Sequence, residues 1–284
     1  MMTAVRRLGA GVLRRVGFGQ RGKAPARGYT MNLNEIRFVD DLSDADLAEL
    51  NDILDWKSFV ADRHGRRVGN VAWAGKRTEP QAIPDPRIVL LHEQFDLGDK
   101  HVLEIGCFEG NHTLGLVRYA KRVTAVDGRV ANVVKTIVRC ALFDVHPTVF
   151  KCDVEARPLR FEPLQADVVH HVGVLYHLLD PVRHLRDLGS IARVGLMLDT
   201  HYARDTEAID SYVVDGKEYR YKRYREFGLR DPFSGMHDHS KWLRLDDILA
   251  LLAGVGLSEV RVLQTREERN GPRVLLIVGR QSPE

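Results

Sequence analysis

The stretch HVLEIGCFEGNHTLGLVRYAKRVTAVD, residues 101–127, decides the fold expected of this chain. Its first five residues predict a buried strand, residues 111–120 predict a helix, and residues 122–126 predict a second strand that ends in Asp127. Two neighbouring strands joined through a helix form a right-handed crossover in a parallel sheet. The stretch therefore predicts an α/β domain with helices on both faces of its sheet.

The same alternation continues to the end of the chain. A second helix is predicted over residues 130–143, with Val133, Val134, Ile137 and Ala141 on its buried face. Further strands are predicted at 148–151, 166–171 and 194–198, and further helices at 181–190 and 245–252. The last two strands, 260–263 and 274–278, are joined too closely for a crossover, so they must be antiparallel to each other. The whole pattern is that of a doubly wound, mostly parallel sheet.

Residues 1–34 differ in composition from the rest of the chain. They hold seven basic residues and no acidic residue, whereas the whole chain carries only +3, so the remainder is mildly acidic. We expect this segment to be a disordered extension, or to result from a start codon placed upstream of Met31. An acidic body does not favour the long basic patch that gives affinity for nucleic acid.

The N-terminal part that follows, residues 35–98, is expected to hold one helix and a cap loop. Ser43 and Asp46 form a capping-box pattern, and the helix is predicted to run to Trp56. Residues 60–86 lack periodicity and predict an ordered loop over the site, in which Trp73 and Lys76 are candidate substrate contacts. Trp73 could equally anchor that loop to the core.

Composition also excludes several classes of protein. The longest apolar runs, such as Val274–Val278, are far shorter than the roughly 20 residues of a membrane-spanning helix, so no membrane segment is expected. Three cysteines do not make a disulfide framework in a chain of 284 residues. A reducing cytoplasmic compartment is the expected location.

The residues just after the first two strands predict a ligand crevice. In doubly wound sheets the ligand lies beyond the carboxyl ends of the strands, where the strand order reverses. Gly106 allows close approach of the backbone, and Gly110 opens the following helix. Asp127 can accept from both hydroxyls of a ribose. Phe108 and Asn111 replace two glycines of a dinucleotide fingerprint, which favours a nucleoside without a pyrophosphate.

Four segments in the same order resemble the class I S-adenosylmethionine-dependent methyltransferases. They are VLEIGCFEG (102–110), VTAVD (123–127), CDVE (152–155) and DVVHHVGVLYHLLDP (167–181), and the resemblance extends from about residue 102 to residue 280. It implies S-adenosyl-L-methionine as the cofactor. It also implies a Rossmann-like, seven-stranded sheet with a reversed final hairpin.

The resemblance also assigns cofactor contacts to particular residues. Glu104 and the backbone near Gly106 are expected to hold the methionine part, and Asp127 the ribose hydroxyls. Asp153 should accept from the adenine amino group, and Val154 should donate its backbone N–H to the adenine ring. The other expected cofactor residues are Cys107, Gly110, Gly128 and Val172. Cys107 is expected to be a buried small side chain, because transfer from a sulfonium needs no covalent enzyme intermediate.

Within this superfamily, residues 173–185 are most similar to the wobble-uridine tRNA carboxymethyltransferases and related methyltransferases. In those enzymes the tyrosine that corresponds to Tyr176 faces the active centre, and an acidic-arginine stretch like Glu268-Arg269 supplies an arginine. The chain lacks their R-K-G-P-F type segment, whose lysine helps to hold the additional carboxylate of their cofactor. Ordinary methyl transfer is therefore favoured over carboxymethyl transfer.

The acceptor site is predicted from residues beyond the strand ends. Tyr176, His177 and His201 are the candidate catalytic residues, since a hydroxyl acceptor needs a base and histidine titrates near neutral pH. The long connection 203–241 is predicted to form a substrate lid on the domain 99–284, with a hairpin over 212–221 and with Ser240 and Trp242 at the start of the last helix. Tyr202, His237 and Arg269 are further candidate substrate contacts.

Several assignments stay open at this stage. His237 and His239 are of the residue type that binds metals, but no third ligand follows at helical spacing, so no metal is expected. The acceptor is expected to be an oxygen of a small molecule, and sugar, carboxylate, lipid and natural-product acceptors all fit. An RNA-modifying enzyme and a non-catalytic binding protein are the alternatives. The sequence gives no oligomeric state.

Overall fold

The computed structural model describes residues 42–70 and 78–281. The first described elements belong to the N-terminal part. Helix α1 (Asp44–Ile53) begins with the expected capping box of Ser43 and Asp46. Strands β1 (Phe59–Ala61) and β2 (Arg67–Gly69) then form a short antiparallel hairpin. The predicted helix was thus three residues too long, and part of the predicted loop is this hairpin.

Helix α2 (Pro86–Phe95) was not predicted. It begins at Asp85, whose side chain accepts from the backbone N–H of Arg87, and Pro86 occupies its first turn. These are ordinary start signals of a helix, and Ile88 and Leu91 on its buried face provide the matching periodicity. The dense prolines before residue 86 concealed these signals. Helix α2 matters for the site because it carries Arg87.

The main sheet contains seven strands, as expected. They are β3 (His101–Ile105), β4 (Arg122–Asp127), β5 (Thr148–Lys151), β6 (Ala166–Val172), β7 (Ala192–His201), β11 (Leu257–Glu268) and β12 (Gly271–Arg280). Their spatial order is β11-β12-β7-β6-β3-β4-β5. Strands β3 to β7 are parallel, whereas β12 is antiparallel to β7 and to β11. The chain order reverses between β3 and β6, which places the crevice at the carboxyl ends of these two strands.

Helices cover both faces of this sheet. They are α3 (Asn111–Leu116), α4 (Val130–Leu142), α5 (Pro181–Ile191) and α6 (Leu245–Gly254). One apolar layer joins α5 and α6 to the sheet, and a second layer joins α2 and α3 to its other face. The longest of these helices, α4, has 13 residues, and within residues 42–70 and 78–281 none is long and apolar enough to cross a membrane.

The buried face of α4 differs from the prediction. Val134 and Ile137 are 43% and 48% exposed, and the helix instead buries Lys135 and Arg139. Lys135 forms an ion pair with the buried Glu109, and Arg139 lies over the ring of Trp56. The Arg139–Trp56 contact attaches the N-terminal part to the main domain, and Glu109 adds to this by accepting from Ser58. Buried charges need partners, and Glu109 provides one, so α4 buries the face that carries Lys135 and Arg139.

The segment predicted as a lid forms a second, three-stranded sheet. Strands β8 (Asp210–Val214) and β9 (Lys217–Arg225) form the expected hairpin, and β10 (His239–Leu243) pairs with β9 on its other side. Ser240 and Trp242 therefore belong to β10. They do not start α6, because its first cap residue is Arg244. Between β9 and β10, residues 228–236 lie against the carboxyl ends of β3 and β4.

Candidate active site

A cavity of about 420 Å³ opens at the carboxyl ends of β3, β4 and β6, where the sequence predicted the crevice. Its volume lies within the usual range of about 300–1,000 Å³ for ligand pockets. Nine of its lining residues were expected at the site: Glu104, Gly106, Cys107, Asp127, Gly128, Val154, Val172, Tyr176 and His177. The structure therefore brings most of the predicted residues together.

The loop after β3 forms one wall of the cavity and can hold backbone close to a ligand. Gly106 has a positive φ of 78°, and a Cβ there would lie 2.3 Å from Cγ2 of Val174. Gly110 also has a positive φ and precedes α3, where a Cβ would crowd Thr136. Both positions thus require glycine. Cys107 is buried, and burial raises the pKa of its thiol well above the usual value, which agrees with a packing role.

The Asp127 carboxylate is fixed in the cavity wall by three donors. One oxygen accepts from the backbone N–H of Phe108, and the other accepts from the N–H of Arg129 and from the amide of Asn132. Burial raises the pKa of Asp127, although these hydrogen bonds offset part of the effect. A carboxylate has about four acceptor sites, so capacity is left for hydroxyl donors from a bound ribose.

Three of the predicted cofactor residues, Gly128, Asp153 and Gly110, differ in how they lie relative to the cavity. Gly128 was expected to leave room beside the ribose, and a Cβ there would lie 2.5 Å from Sδ of Met236 in the insertion. The Asp153 carboxylate accepts from the backbone N–H of Glu155 and does not line the cavity, unlike its neighbours Cys152 and Val154. Gly110 lies just outside the lining, behind Cys107.

His201 lies behind the cavity wall. It is 3% exposed, and its ring stacks on Trp242 with 4.7 Å between the centroids. Its Nδ1 is 3.1 Å from the carbonyl oxygen of Pro272, and its Nε2 is 3.4 Å from a Glu268 carboxylate oxygen. Burial, together with Arg273, lowers the pKa of His201. The edge of His201 meets the ring of Tyr176, so it supports that ring and does not face a ligand directly.

Tyr176 lines the cavity, with Arg273 over its ring at 5.3 Å. Burial raises the pKa of its phenol, and the charge of Arg273 offsets only part of that rise. The phenol therefore remains protonated at neutral pH, where it can donate a hydrogen bond but cannot act as a base. The carbonyl oxygen of Tyr176 accepts from the indole of Trp242, which anchors the turn to β10.

His177 was expected at the start of a helix, but it ends a short 3₁₀ turn, Leu175–His177, and the cap of α5 is Asp180. Its Nδ1 lies 2.8 Å from a carboxylate oxygen of Glu226. Glu226 is a buried residue that sequence reasoning missed; it also accepts from Ser234, Gly235 and Ser240. Burial raises the pKa of Glu226, but the bonds from His177, Ser234 and Gly235 outweigh that rise, so its net pKa lies below the usual value.

A cluster of arginines also lines the cavity. Arg87, Arg266 and Arg273 all contact the fully buried carboxylate of Asp199. Arg269, the predicted arginine, is at the exposed turn between β11 and β12, and the inward-facing arginines lie on the strands on either side of it. Arg266 and Arg273 are direct partners across this hairpin. The hairpin pattern alone could have placed them on one face.

Two further predicted substrate contacts, Tyr202 and His237, do not line the cavity. Tyr202 packs against the core beside β7, and His237 has a side chain that is 41% exposed and lies 3.8 Å from Glu155. Trp73 and Lys76 lie outside the described residues. Residues 232–236 of the insertion form the cavity roof, and Phe233 contacts Phe108 with 5.5 Å between ring centroids.

Comparisons with known proteins agree with this site. Residues 103–195 match a family model described as a methyltransferase domain. A tRNA U34 carboxymethyltransferase from Shewanella loihica is 29% identical over 65% of this chain and 52% of its own length. A ubiquinone biosynthesis O-methyltransferase from Coxiella burnetii is 23% identical over 65% of this chain and 74% of its own. The chain thus spans only about half of the first of these relatives.

A solved structure provides the matching comparison of folds. The N-terminal domain of EvdMO1 with S-adenosylhomocysteine bound is 25% identical, has a TM-score of 0.71, and covers 85% of this chain and 98% of that domain. With the seven-stranded sheet and the family match, this shows that the chain contains a methyltransferase domain of the class I S-adenosylmethionine-dependent type. S-adenosyl-L-methionine is the cofactor of this domain, and the Gly106 cradle and the oriented Asp127 carboxylate fit it.

Proposed function

We propose that this protein transfers a methyl group from S-adenosylmethionine to an oxygen atom of a small molecule. The observation that carries the proposal is that His177 lines the cavity and pairs with the buried Glu226, with 2.8 Å between Nδ1 and the carboxylate oxygen. A hydroxyl must lose its proton as it attacks, and a histidine oriented by a carboxylate is suited to take that proton. The O-methyltransferases among the relatives agree with an oxygen acceptor.

The bound cofactor supplies an electrophilic methyl group on a sulfonium, and the protein's residues position the acceptor and remove its proton. The ionised Glu226 accepts the N–H of Nδ1, which leaves Nε2 of His177 as the basic nitrogen. Nε2 takes the acceptor proton while the new carbon–oxygen bond forms and the carbon–sulfur bond breaks. Glu226 then stabilises the imidazolium, and the Tyr176 phenol can donate to the acceptor.

We propose cofactor roles for the other predicted residues on the same basis. Asp127 would bind the ribose hydroxyls, and the loop at Gly106 would pass along the methionine part. Val154 lines the cavity beyond β5, where its backbone can meet the adenine ring. Asp153 would need to turn away from the N–H of Glu155 to reach the adenine amino group. Residues 232–236 would then cover the cofactor from the side of the insertion.

The experiment measures transfer of radiolabelled methyl groups to a panel of small phenols, catechols and sugars. We expect label in the small molecule, and we expect His177→Gln to lower the rate by about a hundredfold while S-adenosylhomocysteine affinity stays within about threefold. His237→Gln is the matched control because this histidine lies in the insertion but away from the cavity. A full rate of methyl transfer in His177→Gln would contradict the assignment of His177 as the base.

A second candidate function rests on the arginine cluster. Arg87, Arg266 and Arg273 face the cavity, and arginine is the usual partner of a carboxylate, such as the one on the carboxylated cofactor. The cluster is already balanced by Asp85, Asp199 and Glu268, however, so no surplus charge favours an additional carboxylate. Competition between S-adenosylmethionine and its carboxylated form distinguishes methyl transfer from carboxymethyl transfer. A parallel assay uses total tRNA as the acceptor. Preference for the carboxylated form together with labelled tRNA would replace our proposal.

A further inference from the structure

Three side chains meet at the floor of the cavity without a role in the proposed reaction. One donor atom each from Glu104, His112 and His170 lies within 4.8 Å of the other two. Glu104 on β3 and His170 on β6 are direct partners in register, so both side chains lie on the same face of the sheet. His112 lies on the first turn of α3, and its ring meets that of His170 edge to face.

His170 is the most unusual member of this cluster. It is 1% exposed, and neither of its ring nitrogens has a hydrogen-bond partner among the described residues. A buried polar group left without a partner destabilises the fold. Burial lowers the pKa of His170 well below its usual value, so the ring is neutral and carries a free lone pair. A buried, neutral and unpartnered imidazole that faces two other donors indicates a bound ligand.

Glu104 lacks a cationic partner. It is 1% exposed and accepts one hydrogen bond, from the hydroxyl of Thr113, and in the described parts of the chain no lysine or arginine pairs with it. Burial raises the pKa of Glu104 to about 7. A cation placed beside its second oxygen would remove the cost of burying this charge.

His112 has the arrangement of a metal-bound histidine. Its Nε2 lies 3.3 Å from a carboxylate oxygen of Asp85 and 3.1 Å from Nη2 of Arg87. Histidines that bind metals usually hold a carboxylate with one ring nitrogen and the ion with the other. In the described residues no hydrogen bond reaches Nδ1 of His112, so that nitrogen is available to an ion.

We propose that Glu104, His112 and His170 bind a divalent transition-metal ion, such as Zn²⁺. One carboxylate and two imidazoles are a common donor set for such ions, and three protein ligands leave at least one coordination position open. Glu104 and His112 line the cavity, so the open position faces a bound molecule. A tetrahedral ion separates its ligands by about 3.4 Å, so the three donor atoms, which lie within 4.8 Å of one another, would move closer together on binding.

The alternative partner of Glu104 is the ammonium group of the cofactor, as the resemblance implies. An ammonium needs only hydrogen-bond acceptors and must enter through the cavity, whereas His170 lies below the cavity surface. A small ion reaches all three donors, and it accounts for the carboxylate that orients His112. These observations favour the metal. The proposal goes beyond the proposed function, which does not require an ion.

The test titrates chelator-treated, tag-free protein with Co²⁺ in the absence of cofactor and records its visible absorption. We expect the spectrum of a four- or five-coordinate ion that saturates at one equivalent. Glu104→Gln and His170→Gln should abolish it. His112→Gln, at a position whose side chain is only partly buried and which should therefore fold, should weaken binding at least tenfold, and circular dichroism checks each fold. His237→Gln is the matched control, because it removes a surface histidine beside Asp238 and His239.

Either of two kinds of result, in the cobalt titration or in cofactor-product binding, would overturn the metal site. One is the absence of a saturable spectrum in the wild-type protein, or its loss in His237→Gln but not in His112→Gln. The other is that the metal-free protein binds S-adenosylhomocysteine, and His170→Gln or His112→Gln weakens that binding while no cobalt binds. That outcome would assign the cluster to the ammonium. None of these measurements uses a methyl acceptor, so failure here leaves the proposed function untouched.

Discussion

At the residue scale, the carboxylates of the crevice have different tasks that their neighbours set. Asp127 is held by three donors and faces the cavity, whereas Asp153 accepts from the N–H of Glu155 and lies outside it. Glu226 is fixed by hydrogen bonds from Ser234, Gly235 and Ser240, and its fourth hydrogen bond orients His177. Residue type alone does not separate these roles. The donors around each oxygen separate them.

The Asp127 carboxylate should account for a measurable share of cofactor affinity. Replacing it with alanine would leave buried ribose hydroxyls unpaired, at about 1–3 kcal/mol, so we expect S-adenosylhomocysteine to bind roughly tenfold or more weakly in Asp127→Ala. Isothermal titration calorimetry measures this. Asp153→Ala is the comparison variant and should lose less. Equal losses in the two variants would show that Asp153 does reach the adenine.

At the element scale, strand β6 and helix α5 are joined by an unusual contact. Nε2 of His171 lies 2.8 Å from Nε2 of His184, and both residues are fully buried. Burial lowers the pKa of His171 to about 4 and lowers that of His184 well below its usual value. The pair is therefore neutral in the folded protein, while both rings bind protons below about pH 6.5 in the unfolded chain.

This pair should make the protein less stable as the pH falls. Between about pH 6.5 and 4 the unfolded state binds more protons at these sites than the folded state, so the free energy of unfolding decreases there. Glu104, with its raised pKa, acts in the opposite direction in the same range. We therefore compare the variant with the wild-type protein. In His184→Gln the free energy of unfolding should change less steeply with pH, by about 1 kcal/mol per pH unit. Urea unfolding of both proteins at pH 7, 6 and 5 measures this free energy. The same pH dependence in both proteins would contradict the prediction.

A second contact between elements closes the roof of the cavity. The guanidinium of Arg129, two residues after Asp127, lies within hydrogen-bond distance of the backbone carbonyls of residues 228, 229, 231, 234 and 235. The loop that carries Asp127 and the roof segment 228–236 are thus joined by one side chain. Release of the product should require these bonds to open.

Arg129→Ala should loosen the roof without unfolding the domain. We expect faster amide hydrogen exchange in residues 228–236 and a fall in S-adenosylhomocysteine affinity of about fivefold or more, since several carbonyls lose their donor. Arg230→Ala is the matched control, because that arginine is exposed and forms no hydrogen bond in the described structure. Unchanged exchange in Arg129→Ala would show that other contacts hold the roof.

At the scale of the whole molecule, three parts of the chain surround one cavity. The central sheet supplies the floor, the N-terminal part supplies Gln81 and Arg87, and the insertion supplies residues 232–236. Glu109 joins two of these parts, because its carboxylate accepts from Ser58 and pairs with Lys135. A ligand in the cavity contacts all three, so it should stabilise the molecule as a whole.

Cofactor product should therefore raise the melting temperature. At a concentration one hundred times its dissociation constant, S-adenosylhomocysteine should add about 2.7 kcal/mol of stability, which corresponds to roughly 5–10 °C for a domain of this size. Differential scanning calorimetry with increasing ligand measures the shift. Asp127→Ala should shift less at the same concentration. A melting temperature that does not respond to ligand would contradict the cofactor assignment.

The sequence by itself determined the sheet and the first half of the crevice. Strand β3 and the main part of β4 were predicted at their observed positions, and Glu104, Gly106 and Asp127 follow from them, because parallel strands end at one edge. Each of these features is local, so a few consecutive residues encode it. The antiparallel final hairpin also followed from its short turn.

Only the tertiary structure decided which distant residues complete the site. Glu226 pairs with His177, which lies 49 residues earlier in the sequence, and Arg87 and Arg273 both pair with Asp199. No hydrophobic periodicity in the sequence indicates these contacts. The helix α4 was predicted at its observed position, but the prediction of its buried face was wrong for the same physical reason. Apolar spacing favoured burying Val134 and Ile137, but Lys135 and Arg139 had buried partners on other elements. Such pairs form because a buried charge is costly alone, and the sequence does not show where its partner will be until the chain has folded.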